Sequence, residues 1–205
     1  MNYYTPLYAD NYYHIVSRAI GSEKLFIESE NYRYFLERYT KYILPIADTF
    51  AYSLLPNHFH FLTRIKSYEE LLKQYSEVKK NKKIYDGWQT EFVMQQFSNL
   101  LNSYAKSFNK KYTRKGSLFM DYLRRLEIEN DSQFSATTFY IHKNPVHHGY
   151  CKKITDWPWS SYKAVLSEHP TNIKRKEILD WFGNKETYVK FHTQPIQLKN
   201  AVIVE

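Results

Sequence analysis

The chain has 205 residues, enough for one domain with a substantial core or for a domain with an appendage. Hydrophobic residues make up 43% and there are only 5 Gly and 7 Pro, which excludes a disordered or low-complexity chain. With 29 Lys+Arg against 21 Asp+Glu the net charge is +8, which favours a polyanionic partner through phosphate neutralisation. The 20 Tyr are mostly core and interface residues by composition, although aromatics among basic residues can also stack on unpaired bases. Cys151 is the single cysteine, so no internal disulfide forms and a cytoplasmic location is expected. The opening Met-Asn-Tyr-Tyr-Thr-Pro does not have the pattern expected of a signal peptide. No stretch approaches about 18 consecutive apolar residues, so no membrane span is expected.

In chain order, Tyr12-Tyr-His-Ile-Val-Ser-Arg18 is β-branched and aromatic and predicts a first strand, followed by a turn at Gly21-Ser22. Ser29 is the expected cap of a helix carrying Tyr32, Phe35, Leu36, Tyr39 and Ile43 at helical spacing, with Pro45 as its stop. Thr49 to Leu55 reads as a second strand, Pro56-Asn57 as a tight turn and His58 to Ile65 as the antiparallel partner. Ser67 caps a helix to about Lys80, and Lys79–Lys83 reads as a solvated loop. Phe92, Val93, Phe97, Leu100, Leu101, Tyr104 and Phe108 recur at three- and four-residue steps, predicting one helix from about Gln89 to Lys111. Leu118 to Ile128 reads as a last strand containing Arg124-Arg125, and Asp131 as the cap of a helix that Pro145 closes after Lys143.

Strands and helices in this order predict an α+β fold, a ferredoxin-like split βαβ antiparallel sheet with covering helices and one inserted helix. Residues 1–149 form the expected catalytic domain. Residues 150–205 form a helical appendage, with helices starting near Asp156 and over Lys174 to Phe182, and a loose tail from about residue 193.

The chemistry gathers at His58-Phe-His60. On a strand His58 and His60 share one face while Phe59 and Phe61 pack behind, and two neighbouring imidazoles suit a divalent metal. On its own this pattern is equally that of two buried structural histidines. Cupin barrels also use it, but they require many short strands and Gly-rich turns that this chain does not have. Tyr140 and Asn144, four residues apart on a helix, share a face: a phenol nucleophile and an amide oxygen at a helix end. His14 is either second-layer support or a core histidine. His142 turns away from the Tyr140–Asn144 side, for packing or phosphate contact, and His147-His148 read as neutral surface residues. Lys106, Lys110, Lys111, Arg114 and Lys115, with Arg124 and Arg125 behind them, are the candidate DNA-phosphate contacts; cations at a helix C-terminus also complement its dipole.

Leu55-Pro-Asn-His-Phe-His60, Asn109 to Phe119, Tyr140-Ile-His-Lys-Asn-Pro-Val-His-His-Gly149 and Trp159-Ser-Ser-Tyr162 occur in the order and spacing of the REP-associated tyrosine transposases, which the chain resembles over roughly residues 10 to 165. These are single-tyrosine HUH transposases. The resemblance implies the HUH nuclease fold, with His58 and His60 as metal ligands, Asn144 completing the site for Mg²⁺ or Mn²⁺, and Tyr140 as the nucleophile that forms a 5′-phosphotyrosine. It further implies an endonuclease and strand transferase acting on single-stranded DNA beside palindromic hairpins. A monomer using its own tyrosine and a homodimer exchanging it are both open. Met120-Asp121-Tyr122-Leu123 departs from the Gln and basic-aromatic pair that relatives often carry there. The alternatives are a replication-initiator or relaxase-like nickase, and a domesticated hairpin-binding protein that no longer cleaves.

Overall fold

The computed structural model describes residues 4–80, 83–120 and 123–194. Its centre is a four-stranded antiparallel sheet of β1 (Tyr12–Arg18), β2 (Ala47–Leu55), β3 (His58–Ile65) and β4 (Arg124–Ile128), in the order β2-β3-β1-β4. This is the split βαβ arrangement: β1 and β2 run parallel with β3 inserted between them.

One face is covered by α1 (Ser29–Tyr42) and α3 (Trp88–Lys111), with α2 (Tyr68–Val78) preceding α3. Tyr13, Ile15, Phe59 and Phe61 point into this layer and meet Phe35, Tyr39 and Tyr104. Full burial of one such side chain is worth about 1.5–3 kcal/mol, so this layer sets which way β3 faces. The opposite face carries α4 (Asp131–His147), and over it α5 (Tyr162–Leu166), α6 (Arg175–Phe182) and α7 (Lys185–Thr193). The segment before α5 also shields the free edge of β2: Leu54 N–H donates to Trp159 O at 2.9 Å, and Ser161 N–H to Tyr52 O at 3.0 Å.

Several sequence expectations need correction. The N-cap of α1 is Glu28, not Ser29, because Glu28 and Asn31 satisfy each other's backbone N–H in a capping box. Likewise Asn130, not Asp131, caps α4, its side chain accepting from Gln133 N–H at 3.0 Å. Pro145 does not close α4: the helix runs on to His147, and His148 N–H donates to Asn144 O at 3.0 Å. Proline forfeits one N–H and crowds the carbonyl four residues back, but α4 is buried against the sheet from Phe134 to Pro145, and that packing holds the turn.

The last strand is shorter than expected. Residues 118–120 are held to the end of β1 by Ile20 N–H to Leu118 O (3.1 Å) and Met120 N–H to Arg18 O (3.0 Å), and β4 starts at Arg124. Near Asp156 there is only a 3-10 turn, Ile154–Asp156, since Pro158 disfavours helical geometry at Trp157. Asp121-Tyr122, part of the Lys79–Lys83 loop and the tail from residue 195 lie outside the described residues. No helix among the described residues is long and apolar enough to cross a membrane.

Candidate functional site

The turn between β2 and β3 is pinned from outside. Ala19 N–H donates to Asn57 O at 2.8 Å, while Leu25 and Phe26 N–H donate to Pro56 O at 2.6 and 3.0 Å. This fixes the start of β3, and with it His58 and His60, whose ring centroids lie 5.0 Å apart with planes at 85°.

Cross-strand partners share a face, so the register places Ser53, His60, Val16 and Arg124 in one row, and Leu55, His58 and Arg18 in the next. Helix α4 crosses above these rows. The Tyr140 ring stands edge-on to His60 (5.6 Å, 89°) and to His14 (5.9 Å, 75°), and the phenol is buried. One turn on, Asn144 Oδ1 lies 3.1 Å from His58 Nε2. The structure thus brings His58, His60, Tyr140 and Asn144 of one chain into a single cluster between β3 and α4.

Hydrogen bonding constrains the tautomers. Asn57 Oδ1 lies 2.7 Å from His58 Nδ1 and can only accept, so His58 carries its hydrogen on Nδ1 and leaves a lone pair on Nε2. That nitrogen is met at 3.1 Å by the Asn144 side-chain amide, which has both an acceptor oxygen and a donor nitrogen. His60 Nδ1 is 3.0 Å from His14 Nε2, so His14 supports the His60 ring from behind. His60 Nε2, Asn144 Nδ2 and Ser53 Oγ are buried with no hydrogen-bond partner.

Electrostatics keeps both rings neutral. Burial pushes His58 down to about 4; the hydrogen bond with Asn144 opposes this, and the neighbouring His148 and Arg18 add smaller downward contributions. His60 is held well below the ordinary histidine range, again chiefly by burial, then by His14, His58 and His148. Among the described residues no group of three or more His, Cys, Asp or Glu is arranged to hold a metal ion. A cation here would therefore depend on the Asn144 amide as well as the two imidazoles.

His142 makes no phosphate contact, because it is fully buried on the far side of α4, with Nε2 2.7 Å from Ser161 Oγ. His148 is exposed as expected of a surface residue, but its ring lies 5.0 Å from that of His58 and forms the rim of the pocket. Ser53, Arg18 and this role of His148 escape sequence reading, since each follows from cross-strand register or from the continuation of α4 past Pro145.

The basic residues divide. Lys106, Lys110 and Lys115 are exposed. Lys111 pairs with Glu28 and Glu30, and these hydrogen bonds raise its pKa. Arg114 bonds Glu23 at 3.1 Å and clamps the following loop through Ser117 O at 2.7 Å. Arg125, half-buried and depressed in pKa by burial, holds the N-terminal segment through Thr5 O at 2.6 Å. Arg124, next to it in sequence, faces the site side of the sheet, across from Val16.

No family model matches the chain. A solved structure described as a REP-associated tyrosine transposase bound to a REP hairpin matches with a TM-score of 0.53 and 15% identity, covering 83% of this chain and 88% of that one; this is a likeness of fold. A Haemophilus influenzae protein assigned as a REP-associated tyrosine transposase is 30% identical over 148 residues, 70% of this chain and 71% of its own length. On that identity and coverage, the chain belongs to the REP-associated tyrosine transposase family, within the single-tyrosine HUH transposases.

Proposed function

We propose that the protein cleaves and rejoins single-stranded DNA beside hairpins, with Tyr140 as nucleophile and a Mg²⁺ or Mn²⁺ ion held by His58, His60 and Asn144. The observation that carries this reading is the unsatisfied pocket: His58 Nε2 facing Asn144 Oδ1 at 3.1 Å, with His60 Nε2 buried and unpaired beside them. The Asn144 amide can present either its nitrogen or its oxygen to this side, so its oxygen is available to a cation that takes the His58 Nε2 lone pair, and burial disfavours a proton there. Ligands at about 2.1 Å from one octahedral ion and at right angles to each other stand about 3.0 Å apart, which the His58–Asn144 distance of 3.1 Å matches. Such an ion would polarise the scissile phosphate as a Lewis acid.

The protein's own part follows from the pocket. Burial keeps both imidazoles neutral, and with His60 Nδ1–H donating to His14 Nε2 the His60 Nε2 lone pair is available to a cation. The Tyr140 oxygen forms a bond to phosphorus as the phosphorus–O3′ bond breaks. The phenol gives up its proton and the departing 3′ oxygen takes one up, leaving a 5′-phosphotyrosine. This linkage retains the phosphodiester energy, so a 3′-hydroxyl can reverse the step without ATP. The Tyr140 ring lies against His60 of the same chain, which supports use of the tyrosine within one subunit. Hairpin DNA as the partner is supported by the REP hairpin in the matched transposase structure.

The test is incubation with labelled single-stranded hairpin DNA and Mg²⁺ or Mn²⁺. Wild type is expected to give a covalent protein–DNA adduct and Tyr140→Phe none. An adduct from Tyr140→Phe overturns the nucleophile assignment. Binding by wild type without any adduct selects a hairpin-binding protein that does not cleave.

A further inference from the structure

The rings that surround His58 continue outward across the surface. From His148, 5.0 Å from His58, the next centroid is Tyr150 at 6.4 Å with planes at 41°, then Trp157 at 5.7 Å with planes at 37°. The Trp157 ring is held by a hydrogen bond of its own, and the backbone of Tyr150 is anchored where its ring meets those of His148 and Trp157. Tyr150 N–H donates to Pro145 O at 2.9 Å, and Trp157 Nε1–H donates to Leu54 O at 3.0 Å. Trp157 also meets the edge of Tyr32, itself stacked on Trp159 at 4.5 Å and 7°. Tyr150 nevertheless leaves 42% of its surface in water, His148 is exposed and Trp157 is half-buried. A single exposed tyrosine means little; a run of neighbouring rings leading out of a candidate site and ending on an anchored tryptophan is a surface with a direction.

We propose that His148, Tyr150 and Trp157 form a stacking platform for the unpaired nucleotides next to the phosphate presented to Tyr140. The inference rests on the DNA-cleaving reading above. The occupant is argued from charge and shape. Exposed Lys152 and Lys153 lie between Tyr150 and Trp157 in the chain, after Cys151, and exposed Arg18 lies across from His58, so cations accompany the rings. Aromatic faces beside cations match the alternation of base faces and phosphates in a single strand. A duplex hides its base faces in its own stack and cannot use the platform. A folded protein partner needs roughly 800 Å² per side, far more than these rings offer.

The platform is tested on the full chain, without divalent cation, by fluorescence anisotropy. The probes are a fluorescein-labelled oligothymidylate and a blunt duplex of equal length. Tyr150→Ala and Tyr150→Leu are each expected to weaken single-strand binding about tenfold while leaving duplex binding unchanged, and Tyr150→Trp to bind at least as tightly as wild type. Unaltered single-strand binding by the Ala and Leu variants overturns the proposal, as does an equal loss for both probes. Thermal melts establish that each variant is folded. The ring-dependent result together with no adduct from wild type keeps the platform and removes the cleavage reading, so the two fail separately.

Discussion

His142 on α4 and His192 on α7 meet nitrogen to nitrogen at 2.9 Å, both buried, on the side of α4 away from the candidate pocket. The ends of the chain of hydrogen bonds fix the protons between them. His192 Nδ1 faces Tyr188 O at 2.8 Å and must donate, so its Nε2 accepts from His142 Nδ1. His142 Nε2 then accepts from the Ser161 hydroxyl at 2.7 Å, and Ser161 Oγ accepts from Tyr52 N–H at 2.8 Å. One directed chain thus ties β2, the start of α5, the helix of Tyr140 and Asn144, and α7.

This chain predicts acid sensitivity. Burial depresses His192 to about 4 and holds His142 well below the ordinary range, whereas both titrate near 6.5 once unfolded. Depressed histidines contribute their stability fully above about pH 6.5, and it is lost as pH falls toward 4, where the unfolded state binds more protons. Thermal melts between pH 8 and pH 4.5 are expected to show wild type losing stability through this window, and His192→Phe losing less. Parallel curves for the two proteins would remove the pair as the cause.

Ser161→Ala leaves His142 Nε2 without its donor and Tyr52 N–H without its acceptor, both in the interior. The expected cost is about 1–3 kcal/mol in urea unfolding. A change within a few tenths of a kcal/mol would mean the hydroxyl is not part of the chain.

Asn144→Asp places a carboxylate against His58 Nε2. The protonated imidazole gains a partner, so the His58 pKa should rise from about 4 by about one to three pH units. Imidazole proton shifts followed by NMR read this directly. Titration still centred near 4 would show that the side chain at 144 does not face the ring.

Mn²⁺ or Mg²⁺ is expected to raise the melting temperature of wild type, with EDTA reversing the rise; at a hundredfold excess over Kd the gain is about 2.7 kcal/mol. His60→Gln and Asn144→Leu should each melt at the same temperature with and without the ion. A full shift in either variant would place cation binding elsewhere.

Much of the frame is written in local patterns. Tyr12–Arg18 and His58–Ile65 are legible as strands because their aromatic and β-branched residues fit a pleated, buried surface. The long helix of Phe92 to Phe108 follows from three- and four-residue spacing, and the period of two along β3 already sets His58 and His60 opposite Phe59 and Phe61. Cap positions were legible only to within a residue, since Glu28–Asn31 and Asn130–Gln133 are chosen by hydrogen bonds that neighbouring residues of similar chemistry could also have made.

The sequence by itself determined the strand and helix pattern and the residue types that can do chemistry: two imidazoles on one strand face, a phenol and an amide on one helix face. Only the tertiary structure decided what stands around them. The β1–β3 and β2–β3 registers set Arg18 across from His58 and Ser53 across from His60, and the burial of α4 carries the helix past Pro145 until His148 reaches His58. The same packing turns Lys111, Arg114 and Arg125 toward contacts within the protein. Periodicity is a property of neighbours along the chain; register, burial and the choice of a charge's partner are settled between segments far apart in sequence, where no local pattern reaches.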